Sequence, residues 1–359
     1  MAEDFGLVRK SMRPKLGRRS FFTPEGKVAL MFLKMYTGLS CPKLLEQLNG
    51  NIHYQIFCDV IIDPTRPLTN YKLLDDIMME LAGKLKIQQL QGILADKWRS
   101  YMENLDTMYT DATCYESEMR YPTDAKLLWE GIEKSYATMC ELSSRLGIHR
   151  PRTKFLDVQK ANLTYRKQRK HSRSQTRKIT RRLLDLLSKP HLRPIVRGKE
   201  VKSVEFGAKV NNILFDGISF IVKLSFNAFN EGSRLVHCLK MHKRLFGVEA
   251  KKVGGDTGYA GTENRDYCKA NGIQTSFVKR GRPFGEKKKE KDLVRKDLAR
   301  VRATAMEGSF GTQKEHYDLR RVKARTKRTE ILYIFFGIHT ANVVQLADRI
   351  EQRARLAAA

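Results

Sequence analysis

Between residues 21 and 100 the apolar positions recur at three- and four-residue steps, the spacing of one helix face. Val28, Leu30, Met31, Leu33 and Tyr36 mark a first helix. Thr23-Pro24-Glu25 opens it, with Thr as N-cap, Pro in the first turn and an acid at the positive helix end, and Gly38 closes it. Leu44, Leu45 and Leu48 mark a short helix over 40–48, and 63–67 reads as a turn. Thr69 then caps a helix through Leu73, Leu74, Ile77, Met78 and Leu81 that runs on past Leu85. The pattern predicts a helical domain over 21–100, of the kind that binds DNA or dimerises. Residues 1–20 carry several basic side chains and little periodicity, and are expected to form a basic arm.

Near Asn104 the pattern changes. Residues 105–113 are β-prone with no helical stripe, so a strand is expected to hold Asp111. From about 125 to 195 the period is helical again, with Pro190 and Pro194 closing the stretch. Residues 201–210, 212–220 and 221–229 read as two or three antiparallel strands around Asp216-Gly217. A helix over 235–245, a buried strand over 252–256 ending on Asp256, a short helix over 264–270 and a strand over 273–278 follow. The basic stretch 279–302 leads into a helix holding Glu307, and 328–355 is a long amphipathic helix. The order predicts an α/β domain over 101–355, with a mixed sheet and a helical insertion after its first strand.

Charge sharpens this reading. The 359-residue chain carries 68 Lys and Arg against 39 Asp and Glu, a formal net charge of +29. That balance favours a polyanionic partner, since each neutralised phosphate releases counterions. The basic residues concentrate in the insertion: 145–209 holds 20 Lys or Arg and 4 Asp or Glu. Its densest run includes Arg166, Lys167, Arg169 and Lys170, which are expected to contact phosphates. Six scattered cysteines without a Cys-x-x-Cys pair argue against a zinc ribbon or a disulfide framework and fit a reduced cytoplasmic setting. The first ten residues lack the apolar core of a signal peptide, and the apolar run 331–344 is short for a membrane span.

Three acids stand in distinctive surroundings. Asp111-Ala112-Thr113 is followed by Tyr121-Pro122-Thr123-Asp124. Gly255-Asp256-Thr257-Gly258-Tyr259 is followed by Asn264. Glu307-Gly308-Ser309-Phe310-Gly311 is followed by Lys314, Leu319-Arg320-Arg321 and Arg325, with Asn342 in the last helix. In this order the blocks resemble those of insertion-sequence DDE transposases. The stretch 21–59 resembles the helical domain that precedes the catalytic domain in that group. One departure concerns the third block. The family places an Arg four residues before the acid and a Tyr three before that; here these positions are Ala303 and Arg300, and Arg302 lies five before.

The resemblance implies an RNase H-like catalytic domain. Asp111, Asp256 and Glu307 would be its catalytic and metal-binding acids, for two Mg²⁺ ions with Mn²⁺ able to substitute. Hard carboxylate oxygens suit Mg²⁺, and paired ions favour both the attacking and the leaving oxygen of a phosphodiester. Arg302, Lys314, Arg320, Arg321 and Arg325 would line the DNA path. Water would free a 3′-hydroxyl at the element's end, and that hydroxyl would attack target DNA. The implied partners are double-stranded DNA (terminal inverted repeats and target) and a second copy of the chain, in a bacterial cytoplasm at the nucleoid. A metal-dependent nuclease that does not join ends, and an inactive DNA-binding copy, remain as alternatives.

Overall fold

The computed structural model describes residues 21–118, 124–149, 155–168, 172–184, 194–196, 204–278, 287–324 and 326–358. The chain divides into two compact units, Met1–Ser117 with Arg193–Ala359, and Glu118–Leu192.

The first unit opens with five helices: α1 (Pro24–Thr37), α2 (Cys41–Gly50), α3 (Ile52–Phe57), α4 (Lys72–Lys84) and α5 (Ile87–Trp98). The Thr23 hydroxyl accepts from Gly26 N at 3.0 Å, and Gly38 ends α1 in the left-handed region at φ 61°. The start of α4 departs from the expected one. Asn70 Oδ1 accepts from Lys72 N at 3.2 Å, so an Asn turn takes the place of the Thr69 cap. Residues 85 and 86 are extended, so the helix expected to run past Leu85 becomes two.

Strand β1 (Thr107–Glu116) follows, and the chain then enters the second unit. There α6 (Asp124–Arg145), α7 (Phe155–Arg166) and α8 (Arg173–Leu184) pack around Leu128, Trp129, Ile132, Ile179 and Leu183. Trp129 stacks on Phe155 at 5.6 Å between ring centroids, so this indole is core. Ile179 and Leu183 face inward from α8, and Arg173, Arg177, Lys178, Arg181 and Arg182 are exposed on it. The charge of α8 is thus gathered on the face turned away from this core.

The chain re-enters the first unit through β2 (Pro194–Val196), β3 (Val204–Phe215) and β4 (Ile218–Ser225). Asp216 at φ 45° and Gly217 at φ 80° make the turn between β3 and β4; two successive left-handed residues match the twist of a tight hairpin. Next come α9 (Leu235–Phe246), β5 (Lys252–Gly254), α10 (Thr262–Ala270), β6 (Gln274–Thr275), α11 (Lys287–His316) and α12 (Lys327–Ala358). The sheet runs β4-β3-β1-β5-β6, with β2 also on β3; β3 is antiparallel to β1 and β4, while β1, β5 and β6 are parallel. The strands expected to end on Asp256 and to span 273–278 are shorter, three and two residues.

One sheet face carries the main core, where Leu235, Cys238, Leu239 and Phe246 of α9 meet Met108, Ile213 and Phe220. The other face meets α11 through Leu214, Met306 and Phe310. Helix α12 is long and apolar enough by composition to cross a membrane, yet 67% of its apolar window is buried inside the protein, and it packs on α1, α4 and β4.

The outer edge of β4 shows why Asn342 stands where it does. Its amide accepts from Ser219 N at 3.0 Å and donates to Ser219 O at 2.7 Å. Gln91 grips Ile221 in the same way, accepting from its N–H and donating to its O at 2.9 Å. Side-chain amides thus complete the backbone pairing of a buried edge strand. Asn342→Ala leaves the Ser219 N–H and C=O buried without partners. It is expected to destabilise the protein by about 2–4 kcal/mol, read by urea unfolding.

Candidate active site

The register of the parallel pair β1–β5 builds the site. Thr107 lies beside Lys252, Met108 beside Val253 and Tyr109 beside Gly254. Four residues beyond the first pair on each strand stand Asp111 and Asp256. Strand β5 ends at Gly254, whereas β1 continues to Glu116 against β3. The two acids therefore meet where the parallel pairing stops and the sheet edge opens. Asp111 sits in mid-strand, and Asp256 caps a turn of 3₁₀ helix, its Oδ1 accepting from Gly258 N at 2.9 Å.

A third acid converges on them, and it is Glu231. Asp111, Glu231 and Asp256, all half-buried, each offer a carboxylate oxygen within 4.8 Å of the others. Glu231 stands just before α9, held by Lys209 of β3 at 2.6 Å. Lys209 also donates to Phe229 O at 3.0 Å. The Glu231 turn can approach the Asp256 turn because Gly232 has no side chain: a Cβ there would lie 2.2 Å from Gly258 O. Asn264 stitches the two turns, donating to Gly232 O at 2.6 Å and to Tyr259 O at 2.9 Å.

Burial pushes the Asp111 carboxyl above its ordinary range; the Arg302 guanidinium and the Ala112 N–H oppose this, and the charges of Asp256 and Glu231 add to the rise. Arg302 makes a close ion pair with Asp111 Oδ2, and Ala112 N donates to Oδ1 at 2.8 Å. Arg300 instead pairs with Asp297 on the exposed side of α11. Of Arg300 and Arg302, Arg302 is thus the one at the acids. An open cavity of about 600 Å³ adjoins them, lined by Asp256, Arg265, Phe277, Arg295 and Arg302.

Glu307 lies in mid-helix, because α11 runs unbroken through Gly308 and Gly311. Its side chain is exposed, and it is absent from the group of converging acids. Lys314, seven residues on and so on the same helix face, donates to Thr113 Oγ1 at 2.9 Å. Arg320 pairs with Glu315 at 3.3 Å and Arg321 is exposed. Arg166 and Lys167 are exposed at the end of α7, while Arg169, Lys170 and Arg325 lie outside the described residues. His242, five residues from His237, is bonded to Leu105 O at 2.8 Å and packed on Phe215.

Glu231 escaped the sequence reading because Asn230-Glu231-Gly232 looks like any polar turn; its role as a neighbour of Asp111 appears only when β3, β1 and β5 align. Lys209, counted with the basic run of the insertion, belongs to this site.

Residues 253–344 match the family model of the transposase DDE domain. This is the class to which the acid blocks of the sequence pointed. The matched segment holds Asp256, Asn264, Arg302, Glu307, Lys314 and Asn342; Asp111 and Glu231 lie before it. No curated protein and no solved structure matches the chain.

Proposed function

We propose that this protein is an insertion-sequence DNA transposase that cleaves at its element's ends and joins the freed 3′-hydroxyl to target DNA. The observation that carries this reading is the convergence of Asp111 and Asp256, at the open end of a parallel strand pair, in a chain with a transposase DDE domain. The strand order β4-β3-β1-β5-β6, with three antiparallel and two further parallel strands, supports an RNase H-like catalytic domain.

The donor set fits divalent Mg²⁺ or Mn²⁺: hard carboxylate oxygens within 4.8 Å of one another, open to solvent on one side. Asp111 and Asp256 would hold the ions, and Glu307 would be the third catalytic acid, on the resemblance of the block that follows it. Bound ions would activate the attacking oxygen and stabilise the leaving one. Arg302 pairs with Asp111. Its guanidinium lines the adjoining cavity with those of Arg265 and Arg295, and this positive charge would receive the phosphate of a bound DNA. Lys314, Arg320 and Arg321 continue the basic path along DNA, and the exposed cations of α7 and α8 supply sequence-independent grip on the backbone. Two element ends held together call for at least a dimer on DNA.

The test is strand transfer: full-length protein, Mg²⁺, a pre-cleaved terminal-repeat oligonucleotide and plasmid. Joined product is expected. Cleavage of an intact end without joining would replace this reading with that of a nuclease.

A further inference from the structure

Below the acids, on the face of β1 turned toward α9, lies a group of buried polar side chains that the chemistry above does not use. Asn211 of β3 pairs with Ala112 in the ladder, so its side chain projects from the face opposite the Asp111 carboxylate. Asn211 is fully buried. Its amide nitrogen donates to Tyr259 Oη at 2.8 Å and to the Asp111 carbonyl at 3.1 Å, with Thr110 Oγ1 at 3.2 Å. Its amide oxygen faces Cys238 Sγ at 3.4 Å, and the Thr110 hydroxyl donates to Asn212 O at 3.1 Å. Tyr259 is itself fully buried, in the turn that Asp256 caps.

This arrangement spans two neighbouring strands and the turn that follows a third. It begins on β3, holds the backbone of β1 at the residue that carries the first acid, and ends three residues beyond the second acid. Backbone pairing does not provide that link, since the ladder between β1 and β5 stops at Tyr109 and Gly254. Two carboxylates that repel one another therefore sit where the ladder has ended, and a side-chain tie takes over from it.

We infer that Asn211 and Tyr259 are positioning residues for metal binding, a buried staple that sets the separation of Asp111 and Asp256 before any ion arrives. This rests on the reading that those two acids hold the ions. Partners that orient metal ligands from behind are worth about 10–100-fold in metal affinity.

The experiment titrates Mn²⁺ into the full-length, DNA-free protein by calorimetry and measures thermal unfolding alongside. The variants are Tyr259→Phe, Asn211→Leu, the double variant Asn211→Leu/Tyr259→Phe, and Asp256→Asn. Tyr259→Phe removes one oxygen and keeps the packing, so it is expected to fold and to bind Mn²⁺ about 10-fold more weakly. Tyr259→Phe leaves the Asn211 amide its bonds to Thr110 Oγ1 and the Asp111 carbonyl, so its melting temperature should stay near that of the unaltered protein, whereas the double variant loses the donor to that carbonyl and should melt lower, as Asn211→Leu does. Its Mn²⁺ affinity should stay low. A Tyr259→Phe variant that binds Mn²⁺ as tightly as the unaltered protein would overturn the staple. Asp256→Asn binding Mn²⁺ as well as the unaltered protein would instead overturn the metal site itself.

Discussion

Asp256→Asn is expected to lower cleavage of terminal-repeat DNA by about 10³-fold or more while leaving the protein folded. The loss follows from the carboxylate's place among the converging acids: removing one charged ligand forfeits several kcal/mol of transition-state stabilisation, each 1.4 kcal/mol being a factor of about ten. The fold survives because the asparagine oxygen can still accept from Gly258 N, the contact that caps the turn. Stability should hold or rise, since Asp256 also adds to the unfavourable potential at Asp111. Asp111→Asn should lose as much activity. It also deprives Arg302 of its ion-pair partner, so its melting temperature should be the lower of the two. Single-turnover cleavage at saturating Mn²⁺, with thermal unfolding alongside, checks both. Retained cleavage in either variant would remove the acids from the chemistry.

The second large effect separates Glu307 from Glu231. Glu307→Gln is expected to reduce the cleavage rate at saturating Mn²⁺ by about 10²–10³-fold, as befits an acid that acts in the transition state. Glu231→Gln should act on affinity instead. Glu231 lies within 4.8 Å of the other two acids but is already paired with Lys209 at 2.6 Å, so much of its charge is spoken for. About a tenfold higher Mn²⁺ requirement is expected, with the saturated rate nearly unchanged. Rates measured across a Mn²⁺ series distinguish the two. If Glu231→Gln abolished the saturated rate and Glu307→Gln spared it, Glu231 would be the third catalytic acid, and the α11 residue would belong to the DNA path.

The helices at either end of the chain were legible because one apolar stripe suffices to call them. Thr23 and Gly38 cap α1, and Leu74, Ile77 and Leu81 are buried in α4, as the pattern requires. The short strands were harder. β5 and β6 are three and two residues long, held by neighbours more than by their own β propensity, and the apolar run around each overstated its length. Asn342 was visible only as a residue in the right block; the reason for it, a clamp on the Ser219 backbone, required the edge of β4.

By itself the sequence determined the class of chemistry. Acids in three ordered blocks, a large positive charge and a basic helical insertion after the first strand are local or additive properties, readable without knowing what touches what. The tertiary structure alone decided which groups share a site. The in-register alignment of β1 and β5 puts Asp111 beside Asp256 across a gap of some 145 residues. The glycine at 232 admits Glu231 beside them, Arg302 takes the place at Asp111 that Arg300 does not reach, and Asn211 ties the strands from below. Each of these depends on strand register and close backbone approach between segments far apart in the chain. A one-residue slip in register would turn every such side chain to the opposite face, and no local pattern in the sequence records which register wins.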